Sequence, residues 1–201
     1  MIGIVYYNMG NLASVKNAFE KVGVKAEVVK DADKLKNYDK LFFPGVGAFG
    51  DAIKHLRETN LDEAMIEFIK SGKYVLGVCL GMQLLFEKGY EFGEHEGLGV
   101  LPGEVVRFDE KKLKGHKVPH MGWNKMFFKG QSPLFKDLCD PYLYFVHSYH
   151  VVCEEKYVIG ETYYGYKFVS AVNKDNVFGF QPHPEKSHNE GLKVIENFVR
   201  L

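Results

Sequence analysis

The chain has 201 residues, of which 46% are apolar, and its 26 basic and 26 acidic side chains balance to a formal net charge of zero. This size and composition predict one globular domain, residues 1–201, with a full hydrophobic core. The balanced charge argues against a general electrostatic grip on nucleic acid or on an anionic membrane. The sequence shows no membrane-length apolar stretch, no signal-peptide pattern and no zinc-type cysteine spacing. We therefore expect a cytoplasmic protein with reduced thiols.

Strand-like and helix-like segments alternate through roughly the first ninety residues, as short apolar runs and runs with apolar residues at helical spacing. Asn11 stands where it can cap the first helix. This order implies βαβ units, and therefore a mainly parallel sheet with helices on both faces. The predicted strands are 2–6, 24–29, 41–43 and 74–78, and the predicted helices are 12–22, 52–57, 61–70 and 82–86.

The pattern changes after Gly97, where glycine and short aromatic β-rich runs dominate. These runs predict antiparallel hairpins, one of them turned by residues 174–176. A helix over 189–201 closes the chain. The fold class is therefore α/β, with a mainly parallel central sheet flanked by helices and an added antiparallel β-rich half. The predicted strands of that half are 104–108, 124–128, 142–146, 149–153, 157–163, 168–173 and 177–180.

Cys79 lies in the segment G-V-C-L-G, between a predicted strand and a predicted helix. This is the context of a nucleophile elbow with cysteine in place of serine. The thiol would sit at a helix N-terminus, where the dipole favours a thiolate. A free cysteine in an apolar run can equally be a buried core residue. The local pattern leaves both interpretations open.

A cysteine nucleophile needs a base and a group that orients the base. The segment Q-P-H-P-E places His183 and Glu185 two residues apart in an extended stretch, so that both share one face. The alternative for His183 is a solvated surface turn. The segment 44–50, P-G-V-G-A-F-G, is suited to presenting a backbone N–H as an oxyanion donor, with the Leu80 N–H as the second. The alternative interpretation of segment 44–50 is a simple glycine-rich turn after a strand.

The histidine pairs do not indicate a metal site. Pro119 interrupts any helix that would align His116 with His120. His147 and His150 are three apart in a predicted strand, and so are expected to point to opposite faces. We therefore predict no metal.

Together, the Cys79 elbow, the P-G-V-G loop and the late H-P-E segment resemble the triad, or class I, glutamine amidotransferases. The resemblance covers essentially all 201 residues. A narrower similarity is to the glutaminase subunits of imidazole glycerol phosphate synthases, of histidine biosynthesis. It depends on three further segments, which are M-G-N-L at 9–12, P-H-M-G-W-N at 119–124 and F-V-H-S-Y at 145–149. The implied fold is the flavodoxin-like fold of that family.

The resemblance implies that Cys79 attacks the side-chain amide of glutamine and forms a thioester. His183 would transfer the proton and Glu185 would orient His183. The oxyanion would be held by the N–H groups of Val46 and Leu80, with a peptide flip at Val46. No cofactor is implied. The residues implied to hold glutamine are Gly47, Gln83, Glu91, Ser148 and Tyr149.

The resemblance also implies a partner, a (β/α)₈-barrel cyclase subunit that receives the ammonia through a channel in a heterodimer. Glutaminases of this kind are nearly silent until the barrel binds its ligand. Composition alone would place the single tryptophan, Trp123, in the core, whereas the resemblance implies that it is exposed at the interface. The implied interface residues are Asn11, Met121, Trp123, Tyr144 and Lys186.

Three alternatives remain at this stage: the glutaminase subunit of anthranilate or pyridoxal phosphate synthase, a cysteine peptidase or other thiol hydrolase, and a non-catalytic module. The segment 119–124 argues against the first, and the intact set of Cys79, His183 and Glu185 argues against the last. Two residues depart from the family pattern. Asn8 stands where glycine is frequent, and Pro182 stands where an aromatic residue often precedes the histidine.

Overall fold

The computed structural model describes residues 1–8 and 11–201. Met9 and Gly10, two members of the M-G-N-L segment, lie outside the described residues. The first part of the chain alternates strands and helices, as predicted. Its elements are β1 (Ile2–Val5), α1 (Leu12–Lys21), β2 (Ala26–Val29), β3 (Lys40–Phe43), α2 (Phe49–Glu58), α3 (Leu61–Lys70), β4 (Tyr74–Val78) and α4 (Leu80–Leu84).

The second part is rich in strands and ends in one helix. Its elements are β5 (Phe86–Gly89), β6 (His95–Glu96), β7 (Leu101–Arg107), β8 (His120–Phe128), β9 (Tyr142–His147), β10 (Tyr149–Val152), β11 (Val158–Tyr164), β12 (Tyr166–Lys174), β13 (Val177–Phe180) and α5 (His188–Arg200). Short 3₁₀ turns cover Ala32–Asn37, Pro133–Phe135, Glu155–Tyr157 and Pro184–Lys186.

The thirteen strands of the described residues are hydrogen-bonded into one sheet. Its main path runs β2-β1-β3-β4-β13-β12-β10-β7-β5-β6, and β11, β8 and β9 branch from β12. The five strands from β2 to β13 are parallel, and the strands beyond β13 are mostly antiparallel. The mixed sheet predicted from the sequence is therefore confirmed.

Strand β13 joins the two halves of the sheet. It pairs in parallel with β4, with Gly179 opposite Gly77 and Phe180 opposite Val78. Because parallel strands end at the same edge, the residues that follow β4 and β13 lie side by side. Cys79 and the segment that carries His183 are brought together in this way, although about a hundred residues separate them in the sequence.

Each face of the sheet is covered by helices. On one face, buried side chains of α2 and α3, such as Leu56 and Met65, pack against Leu41 and Val75. On the other face, α1 and α5 bury Phe19 and Phe198 against the sheet. Asn11 caps α1 as predicted, since its side-chain oxygen accepts from the Ser14 N–H.

Two local expectations were wrong. Helix α4 covers Leu80–Leu84 and Phe86 already belongs to β5, so the helix after Cys79 starts and ends two residues earlier than 82–86. His147 and His150 do not point to opposite faces, because β9 ends at His147 and a new strand begins at Tyr149. No helix within residues 1–8 and 11–201 is long and apolar enough to cross a membrane.

Candidate active site

Cys79 occupies a strained turn between β4 and α4. Its backbone has φ +54° and ψ −114°, a region that costs an L residue of order 1–3 kcal/mol. The Cys79 N–H donates to the Phe180 carbonyl at 2.8 Å. Gly81 permits the turn, because a Cβ there would lie 1.8 Å from the Phe43 carbonyl oxygen. The elbow predicted from the sequence is therefore present.

His183 and Glu185 form a buried pair directly after β13. The His183 side chain is 3% exposed and that of Glu185 is 5% exposed. A carboxylate can only accept, so the His183 Nδ1–H donates to Glu185 Oε1, at 2.8 Å. The His183 N–H donates to the Tyr144 carbonyl at 2.9 Å, so Pro182 leaves the histidine anchored.

The charge state of His183 follows from its neighbours. Burial opposes a charged ring, but the negative charges of Cys79 and Glu185 outweigh burial and raise the pKa of His183 to about 10. Near neutral pH the ring is therefore an imidazolium. Its Nε2 has no hydrogen-bond partner within the part of the chain that the structure describes. This nitrogen therefore keeps a hydrogen-bonding position that no described residue occupies.

A cleft of about 320 Å³ opens above Cys79. The residues that the sequence predicts for the oxyanion site and for substrate binding all contribute to its wall. Pro119, Val146 and His147 complete it and were not assigned from the sequence. The predicted residues in the wall are Val46, Gly47, Leu80, Gln83, Glu91, Ser148 and Tyr149.

Two polar side chains in the cleft are held by the fold. Gln83 Nε2 donates to the Tyr149 carbonyl at 3.1 Å. Glu91 Oε2 accepts from the Phe49 N–H at 2.8 Å, at the start of α2. Each side chain is therefore fixed in direction, and the second oxygen of Glu91 remains available to the cleft.

The P-G-V-G loop is anchored at its first residue. The hydroxyl of the fully buried Tyr7 donates to the Pro44 carbonyl at 2.8 Å. Burial and the negative charge of Cys79 raise the pKa of Tyr7 well above its ordinary value, so the phenol keeps its proton. A Cβ at Gly45 would lie 2.0 Å from this hydroxyl. Val46, by contrast, is 40% exposed, so the loop is fixed at Pro44 and open at Val46.

His147 of the cleft wall contacts a further buried histidine, His120. The Tyr149 carbonyl can only accept, so His147 Nδ1–H donates to it at 2.8 Å and the Nε2 of the neutral ring carries a lone pair. His120 Nδ1–H donates to that lone pair at 3.0 Å. His120 Nε2 in turn accepts from the Asn124 amide at 3.2 Å. His147 and His150 both pack on Phe108, with ring centroids 5.1 and 4.9 Å away.

This network requires neutral rings, because each link has one donor and one acceptor. Burial, and to a lesser degree His116, lowers the pKa of His120 to about 4. Burial also lowers the pKa of His147 well below its ordinary value. No group of three or more His, Cys, Asp or Glu side chains could hold a metal ion within residues 1–8 and 11–201.

Acid destabilisation through His120 is expected. The ring binds a proton near pH 6.5 in the unfolded chain and only near pH 4 in the fold, so the unfolded state holds more protons between these values. The free energy of unfolding should therefore fall as the pH drops from 6.5 to 4, by up to about 3 kcal/mol from this residue. His120→Phe should flatten this slope in urea unfolding at fixed ionic strength.

His55→Gln is the matched control, because His55 lies partly exposed on α2, away from the network. It should keep the parental slope. An unchanged slope in His120→Phe would show that His120 titrates normally in the fold. His120→Phe should also lower stability at pH 7 by about 1–3 kcal/mol, since His147 Nε2 loses its donor.

Four of the predicted interface residues lie on one exposed surface, here called the Trp123 patch. It consists of Met121, Trp123, Tyr144, Lys186 and the additional His188. Met121 is 63% exposed and Trp123 is 47% exposed, so the core interpretation of the tryptophan is wrong. The Trp123 ring stacks on His188, with centroids 4.9 Å apart, and lies 6.0 Å from Tyr144.

The remaining members complete the patch. Lys186 Nζ lies 5.8 Å from the centroid of the Tyr144 ring. His188 was not assigned from the sequence, because nothing local links it to a tryptophan 65 residues earlier. Asn11 is exposed at the start of α1. Because Lys186 and His188 directly follow the segment that carries His183 and Glu185, the patch lies next to the catalytic candidates.

Comparison with known proteins places the chain in a family. The sequence model of the family described as "Glutamine amidotransferase class-I" matches residues 4–201. A protein named imidazole glycerol phosphate synthase subunit HisH, from Wolinella succinogenes, is 58% identical over 204 residues and covers 100% of both chains. One of the same name from Sulfurimonas denitrificans is 61% identical over 203 residues, covering 100% of this chain and 98% of the relative.

Solved structures agree on the fold. The structure of PurLQS from Thermotoga maritima superposes with a TM-score of 0.79 at 21% identity, covering 99% of this chain and 97% of the other. A crystal structure described as a glutamine amidotransferase gives a TM-score of 0.77 at 20% identity, with 99% and 97% covered. The chain belongs to the class I glutamine amidotransferases and, within them, to the family of imidazole glycerol phosphate synthase subunits HisH.

Proposed function

We propose that this chain is the glutaminase subunit of an imidazole glycerol phosphate synthase, acting in histidine biosynthesis in the cytoplasm. It is proposed to hydrolyse glutamine to glutamate and ammonia, as one domain formed by residues 1–201. The observation that carries this proposal is that Cys79, which lines the cleft, follows β4, while the buried His183–Glu185 pair follows the neighbouring strand β13. These residues supply nucleophile, acid–base and orienting group, so the reaction needs no cofactor.

The first half of the reaction forms a thioester. The Cys79 thiolate attacks the side-chain carbonyl carbon of glutamine, and a tetrahedral intermediate with a negative oxygen results. His183, which is an imidazolium at neutral pH, gives its Nε2 proton to the departing nitrogen. The carbon–nitrogen bond then breaks, ammonia leaves, and the glutamyl group stays on the sulfur.

The second half releases glutamate. Neutral His183 takes a proton from a water molecule, whose oxygen attacks the thioester carbonyl. The carbon–sulfur bond breaks, and the thiolate and imidazolium are restored together. Glu185 holds the ring in place through Nδ1 and stabilises its positive charge in both halves.

The oxyanion is proposed to be bound by the N–H groups of Leu80 and Val46. Leu80 follows the nucleophile, as in other elbows. Val46 lies in the open part of a loop that Tyr7 anchors at Pro44, so the peptide at Val46 can rotate while Pro44 stays fixed. A carbonyl turned toward the oxyanion would block catalysis, and each lost donor lowers kcat by about 10²–10³.

The glutamine is proposed to be recognised by the remaining residues of the cleft wall. The second carboxylate oxygen of Glu91 suits the α-ammonium group of the substrate. Gly47, Ser148 and Tyr149 present backbone groups, and Gln83 presents its carbonyl oxygen, because its amide nitrogen is already used. A site of this kind distinguishes glutamine from apolar side chains by its hydrogen bonds.

The proposed partner is a (β/α)₈-barrel cyclase subunit that forms a heterodimer with this chain and docks on the Trp123 patch and Asn11. Large exposed aromatic and methionine side chains are typical of interface centres. Ammonia would pass through a channel at this contact to the barrel. There the cyclase makes imidazole glycerol phosphate and aminoimidazole carboxamide ribotide. Because the barrel would dock next to the His183 segment, its binding is proposed to turn the peptide at Val46 so that the N–H, and not the carbonyl, faces the oxyanion.

The test is ammonia release from glutamine by this chain, alone and with the cyclase subunit and its nucleotide ligand. We expect little release from the chain alone and a large increase in the liganded complex. Trp123→Ala should weaken binding of the cyclase by at least about tenfold, as expected for a central interface aromatic. Titration calorimetry measures the binding, and a coupled glutamate assay measures the activity.

Val152→Ala is the control, because Val152 is 46% exposed, like Trp123, but lies on β10 outside the patch. It should bind and activate normally. No glutamine hydrolysis in the liganded complex would overturn the proposed function. Unchanged affinity and ammonia transfer in Trp123→Ala would place the docking surface elsewhere.

A further inference from the structure

Gln181 is a fully buried amide that the proposed reaction leaves without a role. It is 0% exposed and follows the last residue of β13, two positions before His183. Its backbone N–H donates to the Ser170 carbonyl at 2.9 Å. A buried side-chain amide without hydrogen-bond partners would lower the stability of the fold. The partners of its oxygen and nitrogen therefore indicate the role of Gln181.

The direction of the Gln181 amide is determined by its neighbours. Gln83 has one amide atom 3.1 Å from the Tyr149 carbonyl, which can only accept, so this atom is the nitrogen. The same nitrogen lies 3.0 Å from one terminal atom of Gln181, which must therefore be the oxygen. The nitrogen of Gln181 then faces Cys79 Sγ, at 3.7 Å.

We propose that Gln181 is a catalytic residue whose side-chain N–H donates to the sulfur of Cys79 and stabilises the thiolate. This inference rests on the proposed function, since it assigns a further group to the same nucleophile. A donor that faces a sulfur favours the negative form over the neutral thiol. The Val146 carbonyl oxygen also lies 3.9 Å from Sγ, and its partial negative charge disfavours a thiolate, so a donor on Sγ offsets this effect.

The Gln181 amide differs from His183 in what it does during the reaction. His183 transfers its proton to the leaving nitrogen and recovers one from water, whereas the Gln181 N–H stays bonded to its own nitrogen throughout. It therefore stabilises the sulfur both before attack and when the sulfur leaves the thioester. Because the oxygen of Gln181 is held by Gln83, the donor cannot turn away.

The experiment measures the reactivity of the Cys79 thiolate without any glutamine. Alkylation of Cys79 by iodoacetamide is followed against pH in the full-length chain, with the Cys79 peptide quantified by mass spectrometry so that Cys139 and Cys153 do not interfere. Gln181→Met keeps the length of the side chain and removes the donor. We expect the midpoint of its alkylation profile to rise by about one to two pH units, as for a lost hydrogen bond to a charged group.

The same loss should appear in turnover. In the liganded complex, Gln181→Met should lower kcat by roughly 10- to 100-fold and change KM little, since the sulfur does not hold the ground-state substrate. Asn197→Leu is the control, because Asn197 is also a buried amide but bonds the carbonyls of Leu134 and Lys136. It should lower stability while the alkylation midpoint stays at the parental value.

Gln181→Leu is the second variant if the methionine variant does not fold. It also removes the donor, while Gln83 keeps its hydrogen bond to the Tyr149 carbonyl, so the alkylation midpoint should again rise. An unchanged or lowered midpoint in either folded variant would overturn the role of Gln181. If the parent complex fails to hydrolyse glutamine, the proposed function falls, while the alkylation midpoints still decide whether Gln181 stabilises the thiolate.

Discussion

Cys79→Ala should reduce glutamine hydrolysis in the liganded complex to background, a loss of at least about 10⁴-fold in kcat. The reaction as derived passes through a bond between the substrate and Sγ, and Cys79 is the one thiol among the described residues that line the cleft. Binding of the cyclase should be unchanged, because Cys79 is 6% exposed and does not belong to the Trp123 patch. Coupled assays and calorimetry measure the two quantities.

The structural effect of this substitution should be small. Alanine at φ +54° is strained to the same degree as cysteine, and the lost sulfur contacts contribute about 1 kcal/mol to folding. Cys139→Ala, at an exposed cysteine, is the matched control and should leave activity at the parental level. Ammonia release from Cys79→Ala at the parental rate would refute the thioester mechanism.

The local features of the fold could be predicted because their signals are local. The apolar run 74–78 followed by G-V-C-L-G predicted β4 and the elbow, since only small residues permit the turn around Cys79. The end of α4 could not be predicted, because Phe86 fits the helical period and the strand β5 equally well. The pairing of β13 with β4 has no local signal, because it joins residues about a hundred positions apart in the sequence.

The parts of the site that sequence reasoning missed are contacts between distant residues. Tyr7 ends an apolar run in the sequence, and nothing local indicates that its hydroxyl donates to the Pro44 carbonyl. His120 and His147 lie 27 residues apart, and their hydrogen bond depends on the pairing of β8 with β9. His188 stacks on Trp123 although 65 residues separate the two in the sequence.

Glu185→Gln should lower kcat/KM for glutamine by roughly 10²–10⁴, with little change in the affinity for the cyclase. Glutamine keeps the oxygen that accepts from His183 Nδ1–H, so the geometry of the pair can persist, but the negative charge is lost. That charge is one of the two that raise the pKa of His183 to about 10 against the effect of burial. Without it, the pKa of His183 falls.

The sign of the pH effect follows from the step that needs the proton. His183 must be an imidazolium when ammonia leaves, so activity declines as the pH rises through the pKa of the ring. In the parent this decline should begin only toward pH 10. In Glu185→Gln the alkaline limb of the kcat/KM profile should therefore move to lower pH.

Glu190→Gln provides the comparison, because Glu190 is an exposed carboxylate in the first turn of α5, five residues beyond Glu185. It should keep both the parental rate and the parental profile. A Glu185→Gln enzyme with the parental alkaline limb would mean that the carboxylate does not support the charge of His183. The Glu185 side chain is 5% exposed and its second oxygen has no partner among the described residues, so burying this carboxylate destabilises the fold. That outcome would leave the destabilisation without a catalytic reason.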